Sequence, residues 1–309
     1  STGMTPWRCP LCAAASAKAA SSAPEVAIVK QDSEPLEVTE STHELRLEST
    51  SPTSKSYRCE AGHCFDIARE GYVNLLPVQQ KKSLSPGDTI ESLQARRRFL
   101  DGGFYQPLRD ALTKVIAPCQ TLIDLGCGEG YYTAALSKVA AEVIALDIAK
   151  PAIRMAAKAY PELRCAVASV AAVPLVDASA DVITSIFAPV PLAEMLRLLR
   201  PGGQVVVVTP APAHLFSYRQ ALFEQVHDHE PSKFAEAASE HFQVVLQKEV
   251  RYDISLDQAA INDLLLMTPY AWKANPARLS AVAQLQSLHT EAAFSVLVLS
   301  KPMLDLSGA

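Results

Sequence analysis

The sequence predicts an α/β protein: a Rossmann-like domain on a parallel sheet, preceded by a small N-terminal metal-binding module and a helical bridge. Three observations carry this expectation. At residues 121–133, TLIDLGCGEGYYT, an apolar run ends in Asp124, passes through a glycine-rich turn and enters a helix. From about residue 119 onward, strand-like and helix-like stretches alternate. Ahead of them, two tight cysteine knuckles stand at residues 9–12 and 59–63.

Residues 1–75 form the expected metal module. Its knuckles are separated by an Ala/Ser stretch (13–22) that reads as a flexible linker, then by a Glu-rich stretch. There EVAIVK and HELRLE read as the arms of a small hairpin or, equally, as disordered chain. Residues 76–118 form the bridge: a loop broken at Pro77 and Pro86-Gly87, then two helices split at Gly102-Gly103. Residues 119–309 form the α/β domain, with strands at 121–125, 143–147, 163–167, 181–186 and 204–209 and helices near 131–139, 150–159 and 192–199. The tail adds a strand (242–254), a helix (255–267) and a strand (293–301).

Composition narrows the function classes. With 20% charged and 49% hydrophobic residues in 309, the balance is that of a soluble globular chain with an ample core. The net charge of -5 excludes binding of nucleic acid by bulk attraction, so DNA is not an expected partner and any RNA contact needs a local basic patch. Seven cysteines, four near the N-terminus, suit a reducing cytoplasm with one metal site better than a disulfide framework. No apolar run approaches the ~20 residues that span a bilayer, and Ser1-Thr2-Gly3 ahead of Met4 reads as an added remnant.

The glycine loop sets the ligand class. Glycines at a strand's end let backbone approach a ligand closely. Dinucleotide enzymes share that feature, and glycines that merely turn the chain would look the same. Two acids decide. Asp124 is placed to meet a cationic amino-acid group, directly or through water. Asp147, about 20 residues on at the end of EVIALDI, is placed for ribose hydroxyls. Glu129 inside the loop would repel a pyrophosphate. Together these residues resemble class I S-adenosylmethionine (SAM)-dependent methyltransferases. That resemblance implies a cofactor site of Asp124, Gly126, Gly128, Gly130, Tyr131, Asp147 and Ile148, with adenine contacts at Ala168 and Ser169 and the reacting groups facing Phe187, Ala188 and Pro189.

The knuckles CPLC (9–12) and CEAGH (59–63) offer a Cys3His set for Zn2+: Cys9, Cys12, Cys59 and His63, with Cys64 as an alternative to His63. Long insertions cost little in loop closure, so the separation of the knuckles does not exclude the site. Such a closed site is structural.

FDIAREGYVNLLPVQQKKSLSPGDT (65–89), QARRRFLDGGFYQPLRDAL (94–112), IDLGCGEGYYT (123–133) and LLLMTPYAWKANP (264–276), together with the knuckles, resemble the RlmA family of bacterial 23S rRNA (guanine-N1)-methyltransferases. The likeness breaks at residues 13–55. It implies methylation of guanine N1 in a stem-loop near helix 35, with position 745 favoured over 748 by GYVNLLPVQ and PGD, on 23S rRNA that is naked or in an assembling large subunit. It also implies a zinc module that grips RNA, and pairing as a homodimer.

For the RNA, Lys81, Lys82 and Arg96–Arg98 concentrate positive charge; the bland alternative for the arginines is a solvated helix face. Tyr72, Phe104 and Tyr105 read either as stacking residues or as core. Trp272 reads either as a wall for a flipped guanine or as an indole sealing the sheet edge, and Tyr270 has the same ambiguity. Guanine N1 carries a proton that must leave. No base is self-evident; His214 is the leading polar group near the target, followed by His227 and His229, so the catalytic set is His214, Tyr270 and Trp272. FAPVP (187–191) lacks the Asn-Pro-Pro-Tyr pattern of amino-group methylation. The competing reading is a SAM enzyme acting on a small molecule, for which a zinc module and basic bridge have no evident use.

Overall fold

A computed structural model of the chain describes residues 5–22, 43–81, 88–230 and 233–303. The stretch EVAIVK and Lys82 lie outside the described residues.

The N-terminal part holds helix α1 (Pro10–Ser22) and a three-stranded antiparallel sheet of β1 (Arg46–Ser51), β2 (Ser54–Arg58) and β3 (Cys64–Asp66). The Ala/Ser stretch is therefore helix, not flexible linker. Six of its thirteen positions are alanine, the strongest helix former. HELRLE supplies β1, whose partner is β2 in a tight hairpin.

The bridge contains α2 (Ile90–Asp101) and α3 (Gln106–Val115), split at Gly102-Gly103 as expected. Thr89 caps α2 by accepting from the Ser92 N–H at 3.2 Å. Gly103 takes φ +84°, a turn that lets α3 fold back.

The main sheet has eight strands in the order β10-β11-β9-β8-β5-β6-β7-β4. These are β4 (Val73–Asn74), β5 (Cys119–Leu125), β6 (Ala140–Asp147), β7 (Arg164–Val167), β8 (Ala180–Ile186), β9 (Leu199–Pro210), β10 (Gln243–Asp257) and β11 (Ser287–Ser300). The run from β9 to β4 is parallel, and β11 joins β9 antiparallel with β10 outside it. Helices α4 (Tyr131–Leu136), α5 (Lys150–Ala159), α6 (Leu192–Leu198), α7 (Phe216–Leu222), α8 (Phe234–Ala238), α9 (Gln258–Met267) and α10 (Pro276–Ala283) complete it.

Strand alternation divides the molecule into two cores. Leu122, Ala145, Val182 and Val206 face the bridge helices, α7 and α9. Ile123, Ile144, Ile183 and Val205 face Trp7, the knuckle cysteines, α6 and α8. The N-terminal segment is stitched to the second face: Arg8 N–H donates to Pro174 O at 2.9 Å, Val176 N–H to Pro6 O at 3.1 Å, and Trp7 is 1% exposed. Strand order reverses at β5, which has β6 on one side and β8 on the other. The crevice at its carboxyl end is where such sheets take ligands.

Candidate functional site

Residues 126–130 leave β5 on three positive-φ glycines: Gly126 at +73°, Gly128 at +58° and Gly130 at +95°. Two of them also stand in crowded positions. A Cβ on Gly126 would meet the Ala188 Cβ at 2.5 Å, and one on Gly130 would meet the Tyr160 ring at 3.0 Å. The loop is hung on β6, where Gly126 and Cys127 N–H both donate to Leu146 O, at 2.8 and 2.9 Å.

Asp147 stands beside this turn. Its carboxylate accepts from Gly128 N–H at 2.9 Å on one oxygen and from Ala149 N–H at 2.8 Å on the other. Burial raises its pKa, and the two N–H donors work against that shift. Each oxygen keeps a lone pair for a hydroxyl. Its neighbour Ile148 is half-buried. Ala168 N–H donates to Asp147 O at 3.0 Å, which brings Ala168 and Ser169 to the same edge. The structure thus gathers the glycines, Asp147, Ile148, Ala168 and Ser169 at the ends of β5, β6 and β7, a cradle that fits an adenosine.

Asp124 and Tyr131 are used differently from expectation. Asp124 is 1% exposed, and its carboxylate accepts from Thr133 Oγ1 at 2.7 Å and Thr184 Oγ1 at 2.8 Å. It ties β5, β8 and α4 together behind the loop, so its geometry is that of a positioning group. Burial pushes it up to about 6, with both hydroxyls pulling the other way. Tyr131 is turned to the bridge: its hydroxyl donates to Gln106 Oε1 at 3.2 Å, and the Arg109 guanidinium covers its ring at 4.4 Å. Its neighbour Tyr132, not singled out from sequence, faces the site instead, with its ring 6.2 Å from that of Phe187.

Phe187 ends β8 in the left-handed region at φ +55°, a conformation costly for an aromatic residue, and holds its ring 42% exposed. From there a file of rings crosses to the tail: Phe187 to Phe294 at 5.5 Å, Phe294 to His214 at 4.6 Å, His214 to His229 at 6.4 Å and His229 to Tyr270 at 5.9 Å. Tyr105 packs edge-on against Phe294 at 5.0 Å. Among the expected catalytic residues, His214 and Tyr270 are therefore brought together. Trp272 is 86% exposed, so it does not seal the sheet. His214 is buried and accepts from Ala293 N–H through Nδ1 at 3.0 Å, which places its proton on Nε2. Burial, then His229 and Arg219, push it down to about 3, so it is a neutral donor and not a base.

The bridge arginines form no free cationic patch. Arg96 pairs with Asp88 at 3.1 Å, Arg97 with Glu129 at 3.7 Å and Arg98 with Asp263 at 2.9 Å. Arg97 also donates to Glu129 O at 3.0 Å, so this helix clamps the glycine loop. Glu129 is buried and turned to that guanidinium. Tyr72 and Tyr105 are buried, and Phe104 packs on Phe99 at 4.9 Å; all three are core residues.

The knuckles meet. Cys9 Sγ, Cys12 Sγ, Cys59 Sγ and His63 Nδ1 lie within 4.8 Å of one another, with Cys12–Cys59 at 3.8 Å and His63 Nδ1 at 3.4–3.5 Å from the three sulfurs. Bonds of ~2.3 Å in a tetrahedron give edges of about 3.8 Å, so the donor set fits zinc. Cys64 is exposed and outside the cluster.

Family comparisons agree with this division. Residues 45–84 match the RlmA N-terminal zinc ribbon, and residues 123–207 match a methyltransferase domain. The first match holds only the second knuckle; folding brings in Cys9 and Cys12. A 23S rRNA (guanine(748)-N(1))-methyltransferase of Streptomyces fradiae is 37% identical over 249 residues, 77% of this chain and 88% of the relative. A Bacillus subtilis protein, named for 23S rRNA (guanine-N1) methylation as an inferred activity, is 37% identical over 253 residues, 76% of this chain and 87% of its own. The protein is a class I SAM-dependent methyltransferase with an N-terminal zinc ribbon, and it belongs to the RlmA family of 23S rRNA (guanine-N1)-methyltransferases.

Proposed function

We propose that the chain transfers a methyl group from SAM to N1 of a guanine in the helix 35 region of 23S rRNA. The observation that carries this reading is the junction at Phe187: a strained, exposed ring borders the glycine loop on one side and the ring file on the other. A flat base laid there meets π-faces and stands at the edge of the donor cradle.

In this reading Gly126, Gly128, Gly130, Asp147, Ile148, Ala168 and Ser169 hold the adenosine and the amino-acid end. Bound SAM supplies an electrophilic methyl group. The residues of the chain orient the base for in-line attack, and orientation accounts for much of the acceleration in such a displacement. Phe187 and Phe294 flank the base, His214 offers its Nε2–H, Tyr270 stands at the far end, and Trp272 and Lys273 meet the flanking RNA from solvent. Cys9, Cys12, Cys59 and His63 hold zinc and fix the ribbon. Residues 1–75, 76–118 and 119–309 act as RNA grip, clamp and catalytic domain. No helix among the described residues is long and apolar enough to cross a membrane.

The GYVNLLPVQ likeness favours position 745, whereas the S. fradiae relative carries 748 in its name. Transfer of labelled methyl from SAM to unmodified 23S rRNA, followed by mapping of the modified nucleotide, tests the proposal. We expect one N1-methylguanine in that hairpin. Methylation of a small metabolite with the RNA untouched would overturn it.

A further inference from the structure

The antiparallel end of the main sheet carries a cavity of about 320 Å3. Two cross-strand rows make its floor. Thr209, Ser295 and Glu249 are Cα partners in succession, and so are Val207, Leu297 and Gln247. Residues two apart in a strand share a face, so both rows look the same way. Val207 and Leu297 belong to the core on the zinc-module side, so the cavity lies on the face opposite Phe294. Pro210, Ala211, Pro212 and, from α8, Ala235 close it in. The polar row is short of partners. Among the described residues, none bonds Thr209 Oγ1, Ser295 Oγ or the Gln247 side chain. Glu249 has only Arg251, at 3.8 Å, and Arg251 is also engaged by Glu291. Such groups are left to water, which a molecule with matching donors displaces at little cost.

The cavity shares its wall with the ring file. Phe187 N–H donates to Val208 O at 3.0 Å, and the next residue along β9, Thr209, is cavity floor. Pro210 is the Cα partner of Phe294, and Ala211 N–H donates to Ala293 O at 2.9 Å. Pro212 O accepts from the buried Arg219 guanidinium and from His229 N–H, both at 3.0 Å. The junction at Phe187 and the cavity therefore stand back to back across β9 and residues 210–212. The lining also defines an occupant. Val207, Leu297 and the prolines offer apolar surface to a flat molecule. Glu249 offers two acceptor oxygens side by side, which match the adjacent N1–H and N2–H donors of guanine, whereas uracil would set carbonyl oxygens against them. Lys248 is the one cation among the described residues that line the cavity.

We propose that this cavity holds a second, unpaired guanine of the RNA hairpin that carries the target, a step that rests on the rRNA-methylation reading above. Glu249 accepts from its N1–H and N2–H, the Ser295 and Thr209 hydroxyls meet its remaining polar atoms, and Lys248 meets a phosphate. One nucleotide on each face of the sheet's end makes the RNA straddle β9. That fixes its register and decides which guanine reaches Phe187, so the cavity is a specificity site and takes no part in the methyl transfer.

Kethoxal, which adds across N1 and N2 of unpaired guanines, tests the site on unmodified 23S rRNA with wild type, Glu249→Gln and Ser295→Ala. Wild type shields one guanine of the hairpin besides the one it methylates. Glu249→Gln exposes that guanine again, raises KM for the RNA about 10-fold and spreads methylation to neighbouring guanines, with SAM Kd and kcat at saturating RNA held. Ser295→Ala does the same to a smaller degree. Thermal melting identifies any variant that fails to fold. Inosine, which lacks the N2 amine, placed at the shielded position of a synthetic hairpin then tests the contact on wild-type protein: KM rises as it does for Glu249→Gln, and the two changes together cost no more than either alone. A folded Glu249→Gln with KM within about twofold of wild type overturns the site. So does a variant that alters self-association and not RNA binding, which would make a second copy of the chain the occupant. Wild type that methylates a guanine N1 and shields no other overturns this site alone; wild type that methylates no guanine N1 overturns the underlying reading as well.

Discussion

In the proposed reading, the donor side of the site rests on main chain and the acceptor side on rings. At the ends of β5, β6 and β7, three positive-φ glycines and the main-chain bonds of Asp147 shape a cradle from a segment of about 50 residues. Across the junction, Phe187, His214, His229, Tyr270 and Phe294 come from five separate elements and meet only through packing. At Gly126 and Gly130 the backbone cradle leaves no room for an added atom, whereas a ring surface tolerates change in proportion to the stacking area removed. The two sides should therefore fail differently.

The sharpest break is Gly126→Ala. The added Cβ falls 2.5 Å from the Ala188 Cβ, on a residue at φ +73°. The backbone strain alone is of order 1–2 kcal/mol, and the clash must move the 187–189 segment as well. Titration calorimetry should show SAM affinity reduced by about 100-fold or more, with the zinc content unchanged. Affinity within threefold of wild type would mean that the loop is not held as rigidly as its contacts require.

A second test concerns the carboxylate behind the cradle. The folded pKa of Asp124, about 6, lies above its ordinary 3.8. The folded state therefore binds the proton more tightly, and this group's contribution to stability falls as pH rises from about 4 to about 6, then stays level. Two units correspond to roughly 3 kcal/mol. Asp124→Asn keeps acceptor and donor atoms for Thr133 and Thr184 without the charge. Denaturant unfolding should lose the slope between pH 4 and 6, and the variant should be at least as stable as wild type at pH 7.5. Its SAM affinity should fall, because a cationic ligand gains from the ionised carboxylate. A variant less stable than wild type at pH 7.5 would show that the hydroxyl bonds outweigh the buried charge.

These two tests fall on the side that was legible in the sequence, and the reason is physical. A backbone cradle needs glycines at fixed spacing and an acid at the next strand's end, and both needs are met locally in the chain. The knuckles were legible for the same reason, since each is one tight turn. Tyr132, Phe294 and Arg219 carried no such signal: an aromatic residue in an apolar strand and a basic residue on a helix look the same whether they line a site or fill a core. Arg96–Arg98 misled because three adjacent positive charges look like a patch, while the helix directs them to Asp88, Glu129 and Asp263. The Ala/Ser stretch misled because linkers and helices share alanine.

On the acceptor side, Phe187→Ala removes a ring that is 42% exposed and in contact with Tyr132 and Phe294. Stacking of a base on an aromatic ring contributes ~1–3 kcal/mol. kcat/KM for the RNA should fall by about 10-fold while SAM affinity holds, and stability should change little, since Ala keeps the Cβ that strains this position. Equal losses in both affinities would merge the two sides into one cooperative unit.

The smallest effect, and the one that maps how far the acceptor side extends, belongs to Trp272. At 86% exposure the indole gives almost nothing to the fold, so Trp272→Ala should melt within a degree or two of wild type. An indole left in water beside Lys273 is suited to stacking on an unpaired base next to the target, while the lysine meets its phosphate. The variant should raise KM for the RNA about fivefold, leave kcat near wild type, and leave the salt dependence of binding unchanged, because no charge is removed. Lys273→Ala should do the reverse, flattening the salt dependence with less effect at low salt. If both variants bind RNA as wild type does, the nucleic acid crosses the molecule elsewhere, and the acceptor side ends at Tyr270.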